Sequence, residues 1–101
     1  MEFTQALTAV REWLGRVTAP AQVRRDTDEG LWVFFESENA LAELIVAEGD
    51  FIPYRFVSMT VLDTRLPPQA GPVFTFWGNG DHTIPDILRE LDRALEIFGA
   101  L

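Results

Sequence analysis

Cysteine and lysine are both absent from this chain of 101 residues, and histidine occurs once, at His82. Without cysteine there is no disulfide, no thiol nucleophile and no cysteine metal site, and this composition is typical of a reducing compartment. One histidine with no recognisable serine or cysteine motif makes hydrolase chemistry improbable. We therefore expect a cytoplasmic protein that is not an enzyme and binds no cofactor.

Long apolar runs are also missing. No stretch of about 18 apolar residues occurs, and residues 1–17 are interrupted by polar and charged side chains such as Arg11 and Glu12. We expect neither a membrane span nor export by a signal peptide. The composition, 48% hydrophobic and 24% charged, lies in the ordinary globular range. At this length we expect a single domain over residues 1–101 with one modest core.

Positive charge is scarce as well. Eight arginines face sixteen acidic residues, which gives a net charge of −8, and the arginines are scattered along the chain. Neutralisation of phosphates by lysine and arginine supplies most of the affinity of nucleic-acid-binding proteins. We therefore expect no direct binding to DNA or RNA.

The stretch from Asp26 to Asp50 contains eight carboxylates and no basic residue, interleaved with aromatic and β-branched side chains. A disordered acidic tail would carry few such side chains, so this stretch predicts a folded sheet with an acidic surface. That surface could simply keep a small domain soluble, or it could receive a basic protein. Because a merely soluble surface usually mixes charges of both signs, the partner remains a serious alternative.

Two segments have the 3.6-residue period of an amphipathic helix. The first has apolar residues at Phe3, Leu7, Val10, Leu14 and Val17, and the second at Ile84, Ile87, Leu88, Leu91, Leu95 and Phe98. Pro20 predicts that the first helix ends near residue 17. Thr83, Pro85 and Asp86 form a capping arrangement that predicts the start of the second helix, and Gly99 predicts its end.

Between these helices the apolar period changes to two, which predicts strands over residues 21–26, 31–37, 42–48, 54–62 and 73–77. Short turn-forming separators, among them residues 37–39 and 49–50, favour antiparallel neighbours in a meander. The segment Leu41–Ala47 would also suit a helix, but its brevity favours a strand. The predicted fold is α+β: an N-terminal helix, a four- to five-stranded antiparallel meander sheet and a C-terminal helix, with both helices on one sheet face.

Alternation along the second predicted strand places Leu31, Val33 and Phe35 on one sheet face. The other face then presents aromatic side chains beside carboxylates, and two helices cannot cover both faces. Aromatic anchors surrounded by charges are typical of a recognition surface. The predicted partner-binding residues, with Trp32 as the anchor, are Trp32, Phe34, Glu36, Glu38, Glu43, Asp28 and Glu29.

Other candidate sites have ordinary explanations. The glycine-rich segment 77–82 precedes a helix, but it lacks the Walker and dinucleotide patterns and reads as a turn. Asp26, Asp28 and Gly30 resemble a calcium loop, yet the glycine falls one position early and Ser37 stands where a glutamate is needed. We predict no metal site. Trp13 lies just off the first apolar stripe and is expected to lean over the sheet edge.

Residues 35–56 read FESENALAELIVAEGDFIPYRF and are followed by VSMTVLD over residues 57–63. This pattern resembles small immunity proteins of bacterial polymorphic-toxin systems, in particular the type named for three tryptophans. The resemblance covers roughly residues 30–98. It implies a cytoplasmic protein that binds and neutralises one cognate toxin, without a cofactor or catalysis. A basic toxin domain is the implied partner, because toxins that act on nucleic acids are often basic.

Two alternatives use the same surface differently. A small acidic secretion chaperone would act as a homodimer and hold an effector on its sheet. An orphan domain would form a homodimer through the aromatic face with no further role. Immunity predicts a monomer, which we favour, so the oligomeric state distinguishes immunity from both alternatives.

Overall fold

The computed structural model describes residues 2–48 and 56–101. The elements follow one another along the chain as α1 (Phe3–Arg16), β1 (Ala21–Thr27), β2 (Gly30–Glu36), β3 (Ala40–Ala47), β4 (Val57–Asp63), a 3₁₀ turn (Pro68–Ala70), β5 (Phe74–Gly78) and α2 (Ile84–Ala100). The predicted α+β fold is confirmed, and so is the end of the first helix near residue 17.

The five strands form one antiparallel sheet in which the spatial order β1-β2-β3-β4-β5 equals the chain order. The predicted meander is therefore confirmed. The ambiguous segment Leu41–Ala47 belongs to β3, which pairs with β2 on one side and β4 on the other. A register shift between Val23 and Arg25 marks a bulge in the edge strand β1, and such bulges increase the local twist of an edge.

The ends of two predicted strands need correction. Strand β2 ends at Glu36, and Ser37 then donates its N–H to the carbonyl of Ala40 over 2.9 Å to close a turn. Glu38 lies in that turn. The predicted alternation of side chains along β2 therefore ends two residues before Glu38, at Glu36. The fourth strand was predicted from residue 54, and its first described pair is Val46 with Val57. Residues 54 and 55 and the predicted turn at 49–50 lie outside the described residues.

The prediction that Gly99 ends the second helix is wrong, because α2 continues to Ala100. A glycine ends a helix when it adopts a positive φ, and within the described part of the chain only Gly71 does so. The predicted start is confirmed: Thr83 Oγ1 accepts a hydrogen bond from the Asp86 N–H at 3.2 Å. Hydrogen bonding to Thr83 also holds the pKa of the Asp86 carboxyl below its usual value.

Both helices pack on the same sheet face, as predicted. The buried positions alternate strictly along β3 and along the first five residues of β4, because successive strand residues point to opposite faces. The sheet contributes to the core Leu31, Val33, Phe35, Ala40, Ala42, Leu44, Val46, Val57, Met59 and Val61. The helices contribute Phe3, Ala6, Leu7, Val10, Trp13, Ile87, Leu91, Ala94 and Phe98.

Trp13 lies between the two helices rather than at the sheet edge. Its side chain is only 4% exposed, and its Nε1–H donates to Asp92 Oδ1 in α2 over 2.7 Å. The prediction for Trp13 was therefore wrong. A buried indole needs an acceptor for its N–H, and the acceptor here comes from a residue 79 positions away in the chain.

Two glycines should respond in opposite ways to alanine. A Cβ on Gly30 would lie 2.6 Å from the carbonyl oxygen of Val46, whereas a Cβ on Gly15 would meet nothing within 4 Å. We expect Gly30→Ala to lower the free energy of unfolding by about 1–3 kcal/mol through overpacking. Gly15→Ala should raise it by about 0.5 kcal/mol through helix propensity. Urea unfolding followed by circular dichroism measures both, and equal effects would contradict the close approach of β2 to β3.

Candidate functional site

The sheet face opposite the helices, which we call the open face, is built from every second residue of β2 to β5. Its side chains are exposed or half-buried. The positions between them are buried in β2, in β3 and in β4 up to Val61, whereas Phe74 and Phe76 of β5 are half-buried. Its members are Trp32, Phe34, Glu36, Leu41, Glu43, Ile45, Ser58, Thr60, Leu62, Thr75 and Trp77.

The strand register arranges these residues in three rows that run across the strands. The first row is Trp32, Ile45, Ser58 and Trp77. The middle row is Phe34, Glu43, Thr60 and Thr75. The third row is Glu36, Leu41 and Leu62. The middle row is thus mainly polar, and an aromatic or aliphatic row lies on each side of it.

Three large apolar side chains of the open face are well exposed: Trp32 by 40%, Leu62 by 36% and Trp77 by 50%. Single exposed apolar residues are normal on protein surfaces, but several on one face form a patch of the kind that marks interaction sites. Core packing does not require them, because the core lies on the other side of the sheet.

Glu43 lies at the centre of the open face and is half-buried. The Trp32 Nε1–H donates to Glu43 Oε2 over 3.0 Å. Phe34 is the cross-strand neighbour of Glu43 on β2, and its ring centroid lies 5.4 Å from that of Trp32. Thr60 is the neighbour on β4. Among residues 2–48 and 56–101, no arginine forms an ion pair with Glu43.

Two other described carboxylates of the acidic stretch form ion pairs. Asp26 pairs with Arg11 of α1 over 2.8 Å, and Glu29 pairs with Arg25 of β1 over 3.1 Å. Both arginines come from outside the stretch. Folding therefore places positive charge beside two carboxylates of a stretch that has no basic residue of its own. These pairs are exposed and each contributes little to stability.

The seven predicted site residues do not form one cluster. Trp32, Phe34, Glu36 and Glu43 lie together on the open face. Asp28 and Glu29 lie in the turn that precedes β2, and Glu38 lies in the turn that follows it. A strand of seven residues separates these turns by roughly 20 Å.

Trp77 and Leu62 are part of the open face but were not predicted as site residues. Their positions follow from the period of two, because Thr75 and Trp77 alternate with Phe74 and Phe76 in β5. The pairing of Ser58 with Trp77 then places this tryptophan in the same row as Trp32. The row that contains Trp32 and Trp77 depends on the register of three strand pairs. The alternation within a single strand does not specify that register.

No protein-family model, no curated protein and no solved structure matches the chain. Neither helix in the described part of the chain combines the length and apolar character that a membrane crossing needs. Function is therefore inferred from the open face and from the charges around it.

Neighbouring residues on β4 should separate the roles of the two sheet faces. Leu62 lies on the open face, and Val61 is fully buried on the core face. We expect Leu62→Thr to change the free energy of unfolding by less than about 1 kcal/mol. Val61→Thr should lower it by about 1–3 kcal/mol, because it buries a hydroxyl group. Urea unfolding of both variants measures the difference, and a large loss for Leu62→Thr would assign this patch a structural role.

Proposed function

We propose that this protein is a non-enzymatic binding protein that neutralises a cognate basic toxin domain in the cytoplasm, as an immunity protein does. The observation that supports this proposal is the open face, which exposes Trp32, Leu62 and Trp77 and holds the carboxylate of Glu43 at its centre through the Trp32 indole. Aromatic side chains supply affinity when a partner buries them, while neighbouring charges steer the encounter and select the partner.

The size of the open face indicates how such a partner would bind. Four strands and seven residues give a surface about 14 Å wide and about 20 Å long, which is roughly 300 Å². A standard interface uses about 800 Å² of each partner. The partner would therefore also contact the flanking turns, where Asp28, Glu29 and Glu38 lie. In this proposal those three acids form the rim, and the open face forms the centre.

Charge favours a basic partner over a second copy of the chain. Each copy has a net charge of −8, and two open faces packed about their centres would bring Glu43 near its own counterpart. Like charges placed opposite each other across an interface cost several kcal/mol. A basic domain meets the same carboxylates with complementary charge and gains a faster encounter.

The alternative is a small acidic secretion chaperone that acts as a homodimer. The exposed Leu62 and Trp77 would serve such a dimer as well as they serve a toxin complex. Sedimentation at micromolar concentration separates the two proposals: a monomer supports immunity, and a dimer that Trp77→Ser dissociates supports the chaperone.

Neutralisation is tested by co-expression in bacteria with toxin domains encoded beside the gene of this protein. We expect the wild-type chain to restore growth and the double variant Trp32→Ser, Trp77→Ser to fail, because it loses both exposed aromatics of one row. Leu66→Ser is the matched control, since Leu66 is 45% exposed but lies outside the sheet. Absence of rescue by wild type contradicts immunity, and rescue by the double variant contradicts use of the open face.

Charge steering is tested with two double reversals of equal net charge. Glu36→Lys with Glu38→Lys changes the open face and its rim, whereas Glu90→Lys with Glu96→Lys changes α2 on the other side of the sheet. We expect the first pair to slow association with the toxin domain by about tenfold or more at low salt. The second pair should have a much smaller effect. Stopped-flow association at low and high salt measures the rates, and equal slowing by both pairs would show that only net charge matters.

A further inference from the structure

We infer that the partner anchors itself with an arginine side chain placed against Glu43, between the aromatic rings of β2 and Thr60. This inference rests on the proposed function of the open face. It names the chemical group that the centre of this face recognises.

The carboxylate of Glu43 is held in position through one of its two oxygen atoms, and the other oxygen can accept further hydrogen bonds. Its Oε2 accepts the hydrogen bond from the Trp32 indole over 3.0 Å. Its Oε1 makes no hydrogen bond or ion pair with any residue in ranges 2–48 and 56–101. A carboxylate has about four acceptor sites, so Glu43 can still accept from a cation without losing its bond to Trp32.

Three of the described arginines, Arg11 of α1 and Arg24 and Arg25 of β1, are already engaged. Arg11 pairs with Asp26 and Arg25 pairs with Glu29. Arg24 donates to Gln22 Oε1 over 3.3 Å, and its guanidinium lies over the ring of Phe34 with Cζ 5.6 Å from the ring centroid. None of these three arginines forms an ion pair with Glu43 at the centre of the open face. Glu43 can therefore pair with a cationic group of another molecule.

The aromatic surroundings favour arginine over lysine. A guanidinium is planar, donates in a fixed fork to a carboxylate and stacks on aromatic rings. Trp32 and Phe34 both lie on the β2 side of Glu43, and their ring centroids are 5.4 Å apart. Phe34 already carries the guanidinium of Arg24, so this surface accepts that group within the chain itself. An ammonium group would gain the charge interaction with less of the stacking.

Position also separates Glu43 from Glu36. Glu43 is half-buried in the middle row, whereas Glu36 is exposed at the end of β2. A charge pair at the desolvated centre of an interface mainly slows dissociation, and a charge at the rim mainly speeds association. Glu43 should therefore hold the partner, while Glu36 steers it.

The inference is tested by nuclear magnetic resonance with small probes. The chain has three tryptophan indole N–H signals, which single Trp→Phe variants assign. We expect Nα-acetyl-arginine amide to shift the Trp32 indole signal saturably at millimolar concentration and to leave that of the buried Trp13 unchanged. Nα-acetyl-citrulline amide, which has the same shape without the charge, should give no saturable shift. Nα-acetyl-lysine amide should bind more weakly than the arginine probe.

Glu43→Gln is the decisive variant, because glutamine keeps an acceptor for Trp32 but removes the charge. It should weaken binding of the arginine probe about tenfold or more, whereas Glu36→Gln should retain it. The dispersion of the amide spectrum shows that each variant is folded. An equal shift with citrulline, tighter binding of lysine, or unchanged binding to Glu43→Gln would each overturn the inference.

Measurements on the toxin complex distinguish a failure of the arginine anchor from a failure of the proposed function. With a toxin domain that wild type neutralises, Glu43→Gln should speed dissociation about tenfold, and Glu36→Gln should change it much less. If Trp32→Ser with Trp77→Ser abolishes neutralisation while Glu43→Gln dissociates at the wild-type rate, the arginine anchor is wrong and the proposed function stands. If wild type neutralises no toxin, the proposed function itself fails.

Discussion

Both helices pack on one face of a meander sheet, and this arrangement decides which side chains are buried and which are left exposed. Helices α1 and α2 cover the sheet from the same side, and the bond between Trp13 and Asp92 joins them across their contact. Every second residue of the central strands therefore enters the core. The remaining residues form a surface that the described helices do not cover.

That surface has a composition which stability does not explain. A sheet face that only needs to meet water is served by polar side chains, and β4 supplies Ser58 and Thr60 in this way. Trp32, Leu62 and Trp77 instead expose between a third and a half of their side chains. The part of an apolar side chain that stays in water gains nothing from folding. Their place on one face is consistent with burial against another molecule.

Periodicity in the sequence predicts most of the fold, because the apolar residues of each helix or strand recur with the period of that element. The change from 3.6 to 2 residues identifies the helices and strands, and short separators between strands indicate the meander. Trp13 could not be placed in this way, since its partner Asp92 comes from the other helix. The prediction for Gly99 was wrong for a related reason, because a glycine that keeps a helical backbone does not end a helix.

From the sequence, only the net charge of the acidic stretch could be predicted, and not which of its charges form ion pairs. Eight carboxylates without a basic residue predict an acidic surface, but pairing depends on which strands and helices become neighbours. Folding brings Arg11 to Asp26, while Arg25 reaches Glu29 across the turn. The register then places Glu43, from the middle of β3, between Phe34 and Thr60 at the centre of the open face. Glu43 is half-buried there, and a carboxylate that is partly shielded from water attracts a cation more strongly than a fully exposed one. The proposed recognition of a cation therefore depends on strand register, which the net charge does not contain.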